Sequence, residues 1–483
     1  MNMSTALNNA LGGLTAASRG AAVVSGNIAN ALTPGFARRS LELTTSQISG
    51  NGVRIAGITR HQDPVLTANR RATDAEFAQR TAIAEFYSQF ERFVGPPGEA
   101  TSLAARLSDF ENSLITASSL PDSAERLDQA ASSARALSDG LNTASENLRQ
   151  VRSDADRKIG SYVETLNQTL QDIEDLNGKL PAIRNGGGDI GAFLDQRQVL
   201  IDRVNELIPV NVVARENDRV SLYAEGGLIL LEGSAAQFSF TTTGDTQPRM
   251  TVANGLLSGL EMNGNPVRTQ GGTAQIRDGA LAAQFEIRDN LAVEAQVQLD
   301  AVARDLIERF ETPGLDPTAV PTDPGLFTDD GNRFDALAEV GLAARISLNS
   351  TVDPDAGGAS WRLRGGLGAA APGDPGNAAQ LQAFGAILDT ARPMASTVFG
   401  TSDMRAAEVT EALMSSAGAD AHSAETRRIF ARNAQSEMAR IEAEQGVDTD
   451  TELQNMMQIQ NVYAANARVI SVVDELMETL LRL

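Results

Sequence analysis

The sequence predicts a mainly α fold with an inserted β domain, in an elongated multi-domain subunit. Apolar residues recur every three or four positions through 123–180 and 453–483, the spacing of one helix face. Aromatic residues make up only 4% of the 483 residues, so the chain packs through small and aliphatic side chains, as helical bundles do. Between 210 and 241, short runs of β-branched and aromatic residues alternate with turn signals.

The first segment predicts an amphipathic helix that ends at Thr33-Pro34-Gly35, because Pro34 disfavours helix at the residue before it. Its glycines each cost roughly 1 kcal/mol relative to alanine, so this helix is expected to need a partner. The apolar or small positions of its stripe are Leu7, Leu11, Leu14, Ala17, Ala21, Val24 and Ile28.

The segment 41–72 looks extended around 52–58, and helix is predicted from about Thr73 to Gly95 and again over 101–118. The next seam, over 123–180, advances about 3.5 residues per step, which predicts a coiled-coil helix about 80 Å long. Two antiparallel helices broken near Gly160 are the alternative.

The glycines at 186–188 predict a loop, since no Gly-Lys-Ser/Thr follows them. A short helix with Asp195-Gln196-Arg197 comes next, followed by strands at 210–214, 219–224, 228–232 and 238–241. Helix is predicted again over 279–311, 379–400 and 403–445, whereas 312–378 is rich in Pro, Gly and Asp and predicts loops with a few strands. Asp448 or Asp450 is expected to cap the last helix.

The last helix carries two adjacent apolar seams, wide enough to touch more than one neighbouring helix. The first seam is Leu453, Met456, Gln460, Tyr463, Ala467, Ile470, Asp474, Met477 and Leu481. The second seam is Ile459, Val462, Asn466, Val469, Val473, Leu476, Leu480 and Leu483. Both ends of the chain are therefore expected to pair with each other and with further copies.

These patterns predict three domains. Residues 1–40 and 447–483 form a terminal helical polymerisation domain of paired N- and C-terminal coiled-coil helices. Residues 41–209, 279–311 and 379–446 form a helical bundle domain. Residues 210–278 with 312–378 form an outer β/loop domain.

Composition excludes several classes of partner. The net charge of −22 disfavours nucleic acid and anionic membrane surfaces. The sequence has no run of about 18 apolar residues, so no membrane-spanning helix is predicted. The N-terminus lacks the pattern of a cleavable secretory signal. The chain contains no cysteine, which excludes disulfides and thiolate metal sites.

The sequence shows no catalytic arrangement, and the chain is predicted not to be an enzyme. His61 and His422 are the only histidines and lie far apart in sequence. Asp329-Asp330-Gly331-Asn332 resembles part of a calcium loop without the twelve-residue ligand pattern, so no metal and no cofactor is expected. A carboxylate-dependent cell-wall hydrolase is a distant alternative, disfavoured because sugar clefts present aromatic platforms and Trp361 is the single tryptophan.

The two ends resemble one superfamily. SGNIANALTPGF (25–36) is similar to the SxNIAN…TPGY/F signature of flagellar rod, hook and hook-associated proteins, with Gly26 where Asn is frequent and Phe36 where Tyr is frequent. QIQNVYAANARVI (458–470) and DELM (474–477) resemble the C-terminal signature of the same proteins. The helical region 73–208, with AFLDQRQVLIDRVNELIPVNV (192–212), and GALAAQFEIRD (279–289) resemble the hook-associated protein 1 family.

The resemblance implies a structural subunit in the junction ring between hook and filament. It implies export through the flagellar type III channel after a transient cytoplasmic stage. The implied partners are further copies, the hook protein, the second hook-associated junction protein and an export chaperone on the last helix. A hook or rod subunit is the nearest alternative.

The resemblance also assigns roles to residues. Asn27, Asn30 and Thr33 would cap the helix or bind its backbone, while Pro34, Gly35 and Phe36 would fix the turn to the next layer. The full set of expected assembly residues is Asn27, Ile28, Asn30, Thr33, Pro34, Gly35, Phe36, Gln460, Tyr463, Asn466, Ile470, Asp474, Leu476, Met477 and Leu480.

Overall fold

The computed structural model describes residues 3–45, 52–96, 98–186 and 189–482. Within these residues the chain is mainly helical with a few small sheets, which confirms the predicted fold class. The helices are α1 (Met3–Ala29), α2 (Pro64–Val94), α3 (Leu103–Ser119), α4 (Ala124–Asn185), α5 (Gly191–Leu207), α6 (Gly279–Glu286), α7 (Ala292–Phe310), α8 (Arg362–Gly365), α9 (Ala379–Asp389), α10 (Ala406–Glu444) and α11 (Thr449–Arg482).

The described strands pair only in antiparallel fashion. They are β1 (Arg39–Thr45), β2 (Val53–Arg60), β3 (Val210–Ala214), β4 (Val220–Ala224), β5 (Ile229–Glu232), β6 (Ser234–Ala235), β7 (Phe238–Ser239), β8 (Leu260–Met262), β9 (Asn265–Val267), β10 (Phe327–Asp329), β11 (Ile346–Leu348), β12 (Arg392–Pro393) and β13 (Asp403–Met404). The sheet orders are β1-β2, β3-β4-β5-β6, β7-β8-β9, β10-β11 and β12-β13. The strands predicted from 210 to 232 are confirmed, and Phe238–Ser239 is the paired part of the fourth.

Helix α4 runs unbroken for 62 residues, about 93 Å at 1.5 Å per residue, so a break near Gly160 is ruled out. Gly160 instead allows a neighbouring segment of the chain to pack closely against α4. A Cβ on Gly160 would lie 2.5 Å from Cγ2 of Thr242, so only glycine lets the segment after β7 approach the helix this closely.

Two predicted helix boundaries are wrong. Helix α2 begins at Pro64 rather than near Thr73, because Pro64 is preset for a first helical position and the Asp63 carboxylate accepts the N–H of Val65 at 2.9 Å. Helix α9 ends at Asp389 rather than near 400. After it, Arg392–Pro393 pairs with Asp403–Met404, and Pro393 disfavours helix because it has no N–H to donate.

The chain divides into two compact units. The terminal unit comprises Met1–Phe77, Thr165–Gln237 and Phe430–Leu483. The central unit comprises Ala78–Glu164 and Phe238–Ile429. The three-domain division made from the sequence stays a prediction.

The core of the central unit is built around four phenylalanines. Phe310 packs edge-on against Phe327 and Phe384 with ring centroids 5.4 Å apart, and Phe110 lies 5.8 Å from Phe327. The segment 312–378, with β10 and β11, contributes to this core, since Phe327 and Ile346 are fully buried among α3, α4, α7 and α9.

Candidate assembly site

In the terminal unit, α1 packs along α11. A Cβ on Gly13 would lie 2.7 Å from the side-chain amide of Asn466, and one on Gly20 would lie 3.2 Å from Cδ1 of Ile459. Moving seven residues forward along α1 moves seven residues back along α11, so the two helices are antiparallel. Gly13 and Gly20, two of the glycines that weaken α1 as an isolated helix, are therefore points of close helix–helix approach.

The β1-β2 hairpin covers a further side of α1. The carbonyl oxygen of Val53 lies 3.1 Å from a Cβ built on Gly12, and Oδ1 of Asn9 lies 2.7 Å from one built on Gly52. On α1 itself, Ala17 and Val24 are both buried. Helix α1 is thus packed on two sides within a single copy, by α11 and by the hairpin.

Helix α11 is covered along only part of its circumference. Ile459, Asn466 and Ile470 are half-buried and Val473 is buried, so α1 lies over the border between the two predicted seams. One flank of that border remains open to solvent. It is called the outer stripe here and consists of Val462, Val469, Val472 and Leu476, which are 43–54% exposed.

The other assembly residues predicted on α11 differ in exposure and in their contacts. Gln460 and Asp474 are exposed, and so are Tyr463 and Met477. Nδ2 of Asn466 donates to the carbonyl oxygen of Val462 at 2.9 Å. The side chain of Leu480 and all of Leu483 lie outside the described residues.

Asn27 joins the end of α1 to the start of β1. Its side chain is buried, its Oδ1 accepts the N–H of Arg39 at 3.0 Å, and its Nδ2 donates to the carbonyl oxygen of Arg39 at 2.8 Å. A carboxamide offers one acceptor and donors in a single plane, which suits both backbone groups of one extended residue. Asn27 therefore fixes the chain where it leaves the terminal helix.

Between Asn27 and Arg39 the chain makes a tight turn. Asn30 donates from Nδ2 to the carbonyl oxygen of Gly26 at 2.9 Å, and the Thr33 hydroxyl donates to Oδ1 of Asn30 at 3.2 Å. The N–H of Phe36 donates to the carbonyl oxygen of Thr33 at 3.1 Å. Pro34 and Gly35 occupy the middle of this turn, and Gly35 has a φ of +76°, the pattern of a type II turn.

Helix α5 packs directly on this turn. A Cβ on Gly35 would lie 2.6 Å from Cγ2 of Val199 and 3.0 Å from the carbonyl oxygen of Asp195. Glycine is thus required here both by φ and by the close approach of α5. Phe36 is half-buried with the guanidinium of Arg39 5.0 Å from its ring centroid, and Ile28 is half-buried before the turn.

Asp195 of α5 is the centre of the polar contacts around the turn. Its carboxylate accepts from Nη2 of Arg39 at 2.5 Å, from Nε of Arg60 at 2.8 Å and from the N–H of Ala37 at 3.4 Å. Arg60 also donates from Nη2 to the carbonyl oxygen of Gly35 at 3.2 Å. Sequence reasoning missed Asp195 as a site residue, and its place in the stretch 192–212 that resembles the family was the available signal.

A second ion-pair cluster joins α2, α5 and α10. Arg70 donates to Asp202 at 2.7 Å and lies 2.5 Å from Glu442, and Arg71 donates to the other oxygen of Asp202 at 2.7 Å. Burial by itself lowers the pKa of Arg70, but the carboxylates of Asp202, Glu442 and Asp74 outweigh it, so the pKa is raised. Together these ion pairs tie α2, α5 and the end of α10 to one another within the terminal unit.

The start of α11 is fixed by a cap and an ion pair. Asp448 accepts the Thr451 hydroxyl at 2.6 Å and the N–H of Asp450 at 3.0 Å, which lowers its pKa and confirms Asp448 as the predicted cap. Nε of Arg38 donates to Oε1 of Glu452 at 2.7 Å, and the Glu452 side chain is almost completely buried. The turn at 33–36 and the start of α11 are thereby held together.

A cleft of about 610 Å³ lies beside the turn. Phe36, Leu66 and Val447 contribute apolar surface, while Arg60 and Glu442 contribute opposite charges. Among the described residues no group of three or more acidic or histidine side chains could hold a metal ion. No helix in the described ranges is long and apolar enough to cross a membrane.

Two family models match the chain. The model of the flagellar hook-associated protein FlgK helical domain matches residues 87–313. The model of the flagellar basal body rod FlgEFG protein C-terminal matches residues 443–483, which contain α11.

Curated relatives carry one name. Flagellar hook-associated protein 1 of Escherichia coli (strain K12) is 26% identical over 261 residues, covering 52% of this chain and 47% of the relative. Flagellar hook-associated protein 1 of Bacillus subtilis (strain 168) is 22% identical over 514 residues, covering 98% of this chain and 96% of the relative. The chain thus spans about half the length of the enterobacterial relative and nearly all of the Bacillus one.

The solved structure of the flagellar hook junction protein FlgK from Burkholderia pseudomallei is similar over 55% of this chain and 46% of that one, with 18% identity and a TM-score of 0.45. Residues 87–313 are thus similar to the helical domain of a hook-associated protein, and residues 443–483 are similar to the C-terminal segment of flagellar rod proteins. The curated relatives to which the chain is similar are flagellar hook-associated proteins 1.

Proposed function

We propose that this chain is a non-enzymatic structural subunit of the bacterial flagellum that forms the junction ring between hook and filament. In this proposal the chain is exported unfolded by the flagellar type III system. It then assembles beyond the cell through α1 and α11, with the hook protein and the second hook-associated protein as neighbours.

The outer stripe is the observation that carries this proposal. One copy covers α1 on two sides yet leaves four Val and Leu side chains on one face of α11 about half exposed. Contiguous apolar surface of this kind marks a protein–protein contact. The row belongs to the segment that matches the rod-type C-terminal family model, which supports burial between subunits.

The experiment that tests the proposal is electron microscopy of a strain that lacks this gene. We expect hooks that carry no filament, with filaments restored by the wild-type gene. Normal filaments in the deletion strain would contradict the proposal. Loss of the hooks themselves would instead support the alternative of a hook or rod subunit.

The outer stripe also supports a chaperone before export. A row of exposed Val and Leu side chains favours aggregation in the cytoplasm, and a bound chaperone would cover it. We expect Leu476→Asp to weaken chaperone binding in calorimetry. Unchanged affinity would show that the chaperone docks on a different face of α11.

A cell-wall hydrolase remains the distant alternative. Incubation of the purified chain with peptidoglycan tests it, and we expect no released fragments. Turnover that disappears on changing a single carboxylate would support the hydrolase instead.

A further inference from the structure

The strand β3 forms an open edge of its sheet in the terminal unit. The sheet order is β3-β4-β5-β6, and no described strand pairs with the outer side of β3. Residues 211–214 of this strand are all exposed, with Val212 at 36% and Val213 at 38%. Open edges are usually protected by charge, proline or a bulge, because they offer unpaired N–H and C=O groups to other chains. The strand reads VNVVA, pairs with β4 without a bulge, and carries none of these protections.

The nearest charge does not cover this edge. Arg215 follows β3 directly, and its guanidinium donates to the hydroxyl of Tyr223 at 2.7 Å and to Oε1 of Glu232 at 3.0 Å. These two residues lie on β4 and β5, so the guanidinium points across the sheet and away from the open side. By contrast, β9 contains Pro266, which has no N–H to offer.

The pairing with β4 identifies the free backbone groups. In an antiparallel pair, successive residues turn their backbone groups alternately toward the partner strand and away from it. The N–H of Arg215 donates to the carbonyl oxygen of Arg219 at 2.8 Å, so Val213, two residues earlier, also turns toward β4. Val212 and Ala214 therefore turn their N–H and C=O groups to the open side.

We infer that β3 pairs antiparallel with β3 of a second copy of this chain, with Val213 opposite Val213. In this register Val212 of each copy exchanges both of its backbone hydrogen bonds with Ala214 of the other, so all four free groups of each copy are paired. A register centred on Val212 would instead need the N–H of Val210, which already donates to Oδ1 of Asn205 at 3.2 Å.

The side chains suit the same register. Val213 lies on the sheet face that also presents Tyr223 and the 47% exposed Ile229, so the two Val213 side chains would meet on an apolar surface. Opposed β-branched side chains stabilise antiparallel pairs. Asn211 of each copy stands opposite Arg215 of the other, so no like charges face each other. The strand is thus complementary to itself in backbone groups, shape and charge.

The contact is isologous and stops at a dimer. A two-fold axis reverses one copy relative to the other, whereas all copies in a ring point the same way along the ring axis. The dimer is therefore a form of the free folded chain, and this inference does not depend on the proposed function. Pairing also covers an edge that would otherwise be a template for further strands.

The chain contains no cysteine, so a single introduced thiol reports on the pairing. Opposed residues at a non-hydrogen-bonded position have Cα atoms about 4.5 Å apart, within disulfide range. The purified full chain with Val213→Cys is oxidised, and the disulfide-linked dimer is followed on non-reducing gels. Ile229→Cys, an exposed position on β5, is the control for random collision. We expect Val213→Cys to cross-link about tenfold faster, because paired thiols react at high effective concentration.

A second pair of variants tests the backbone contact. In the Val213→Cys chain, Val212→Pro removes the N–H that points away from β4, whereas Val212→Thr keeps it. We expect the proline to abolish the fast cross-linking and the threonine to retain it. Hydrogen-exchange protection of the amide at position 213, which pairs with Ser221, shows whether β3 stays folded.

Each outcome of these experiments decides one point. Equal rates for Val213→Cys and Ile229→Cys would overturn the pairing, and so would fast cross-linking that survives Val212→Pro. Faster cross-linking of Val212→Cys than of Val213→Cys would overturn the register. None of these results bears on the hooks and filaments of the deletion strain, so the proposed function is tested separately.

Discussion

The side-chain amide of Asn27 binds both the N–H and the C=O of Arg39, at 3.0 and 2.8 Å. The two residues are separated by a tight turn, so this double hydrogen bond sets the direction in which β1 leaves the end of α1. Because Arg39 in turn donates to Asp195, the position of α5 is coupled to the same point.

Replacing Asn27 tests this clamp. We expect Asn27→Ala to destabilise the terminal unit by about 1–3 kcal/mol, since it leaves two part-buried backbone groups without their present partner. Asn27→Asp keeps the acceptor but places a carboxylate against the Arg39 carbonyl oxygen. We expect it to be no more stable than Asn27→Ala. Hydrogen exchange of the Arg39 amide is the measurement, and Asn30→Ala, which breaks contacts within one turn of its own position, is the matched control. Equal protection in all variants would contradict the clamp.

The glycines of α1 are not equivalent. A Cβ on Gly13 meets the Asn466 amide at 2.7 Å, whereas nothing lies within 4 Å of one on Gly26. We expect Gly13→Ala to weaken the α1–α11 pairing by about 1–3 kcal/mol through overpacking. Gly26→Ala is expected to stabilise α1 by about 1 kcal/mol through helix propensity. Hydrogen exchange across α1 measures both, and the same sign for the two variants would contradict the packing argument.

Asp195 and Arg60 should be energetically coupled. Both side chains are largely buried, and Arg60 of the ion pair also donates to the carbonyl oxygen of Gly35. A double-mutant cycle with Asp195→Asn and Arg60→Gln is expected to give an interaction free energy of about 1–3 kcal/mol. The exposed pair of Lys179 and Asp175, at 3.7 Å, serves as the control and is expected to give less than about 0.5 kcal/mol. A coupling free energy no larger than that of the control would show that Asp195 does not stabilise the turn through Arg60.

Two charge substitutions in α11 should act differently. Ile470 is half-buried along α1, so Ile470→Asp is expected to reduce protection of α1 in the isolated copy. Leu476 is half exposed, so Leu476→Asp is expected to change the unfolding free energy by no more than about 0.5 kcal/mol while preventing flagellar assembly. Hydrogen exchange and a motility assay distinguish them. Normal motility with Leu476→Asp would show that the outer stripe is not an assembly surface.

The central unit should gain stability in mild acid through Asp300. Burial raises the pKa of Asp300 to about 6 from 3.8, although the N–H groups of Ala343 and Gly341 favour its charged form. The folded state therefore binds this proton more tightly than the unfolded state. The stabilisation is complete below pH 3.8, is lost as the pH rises through about 6, and amounts to about 3 kcal/mol.

Urea unfolding followed by fluorescence of Trp361, the single tryptophan and a residue of the central unit, measures this effect. Between pH 7 and pH 4, the difference in unfolding free energy between wild type and Asp300→Asn is expected to change by about 2 kcal/mol, most of the full effect. Asp139→Asn, at an exposed position of α4, is the matched control and is expected to follow the wild type. A pH-independent difference for Asp300→Asn would show that Asp300 does not titrate in this range.

Local pattern was enough to predict most elements of this protein. The apolar repeat in 123–180 predicted α4, and the alternating segments from 210 to 232 predicted β3 to β5. The turn at Thr33-Pro34-Gly35 followed from the fixed φ of Pro34 and the freedom of Gly35. Helix boundaries were predicted less well. The start of α2 was placed near Thr73, whereas the cap at Asp63 starts the helix at Pro64.

The sequence by itself determined the helices and strands, the turn after α1, the two apolar seams of α11 and the resemblance to flagellar proteins. Only the tertiary structure decided that α1 covers the border of the two seams, that Gly13 and Gly20 are contact points, and that Asp195 and Glu452 hold the turn. The reason is physical. Periodicity orders side chains around one helix axis, whereas the partner of each face is set by contacts such as Arg38–Glu452, between residues 414 positions apart.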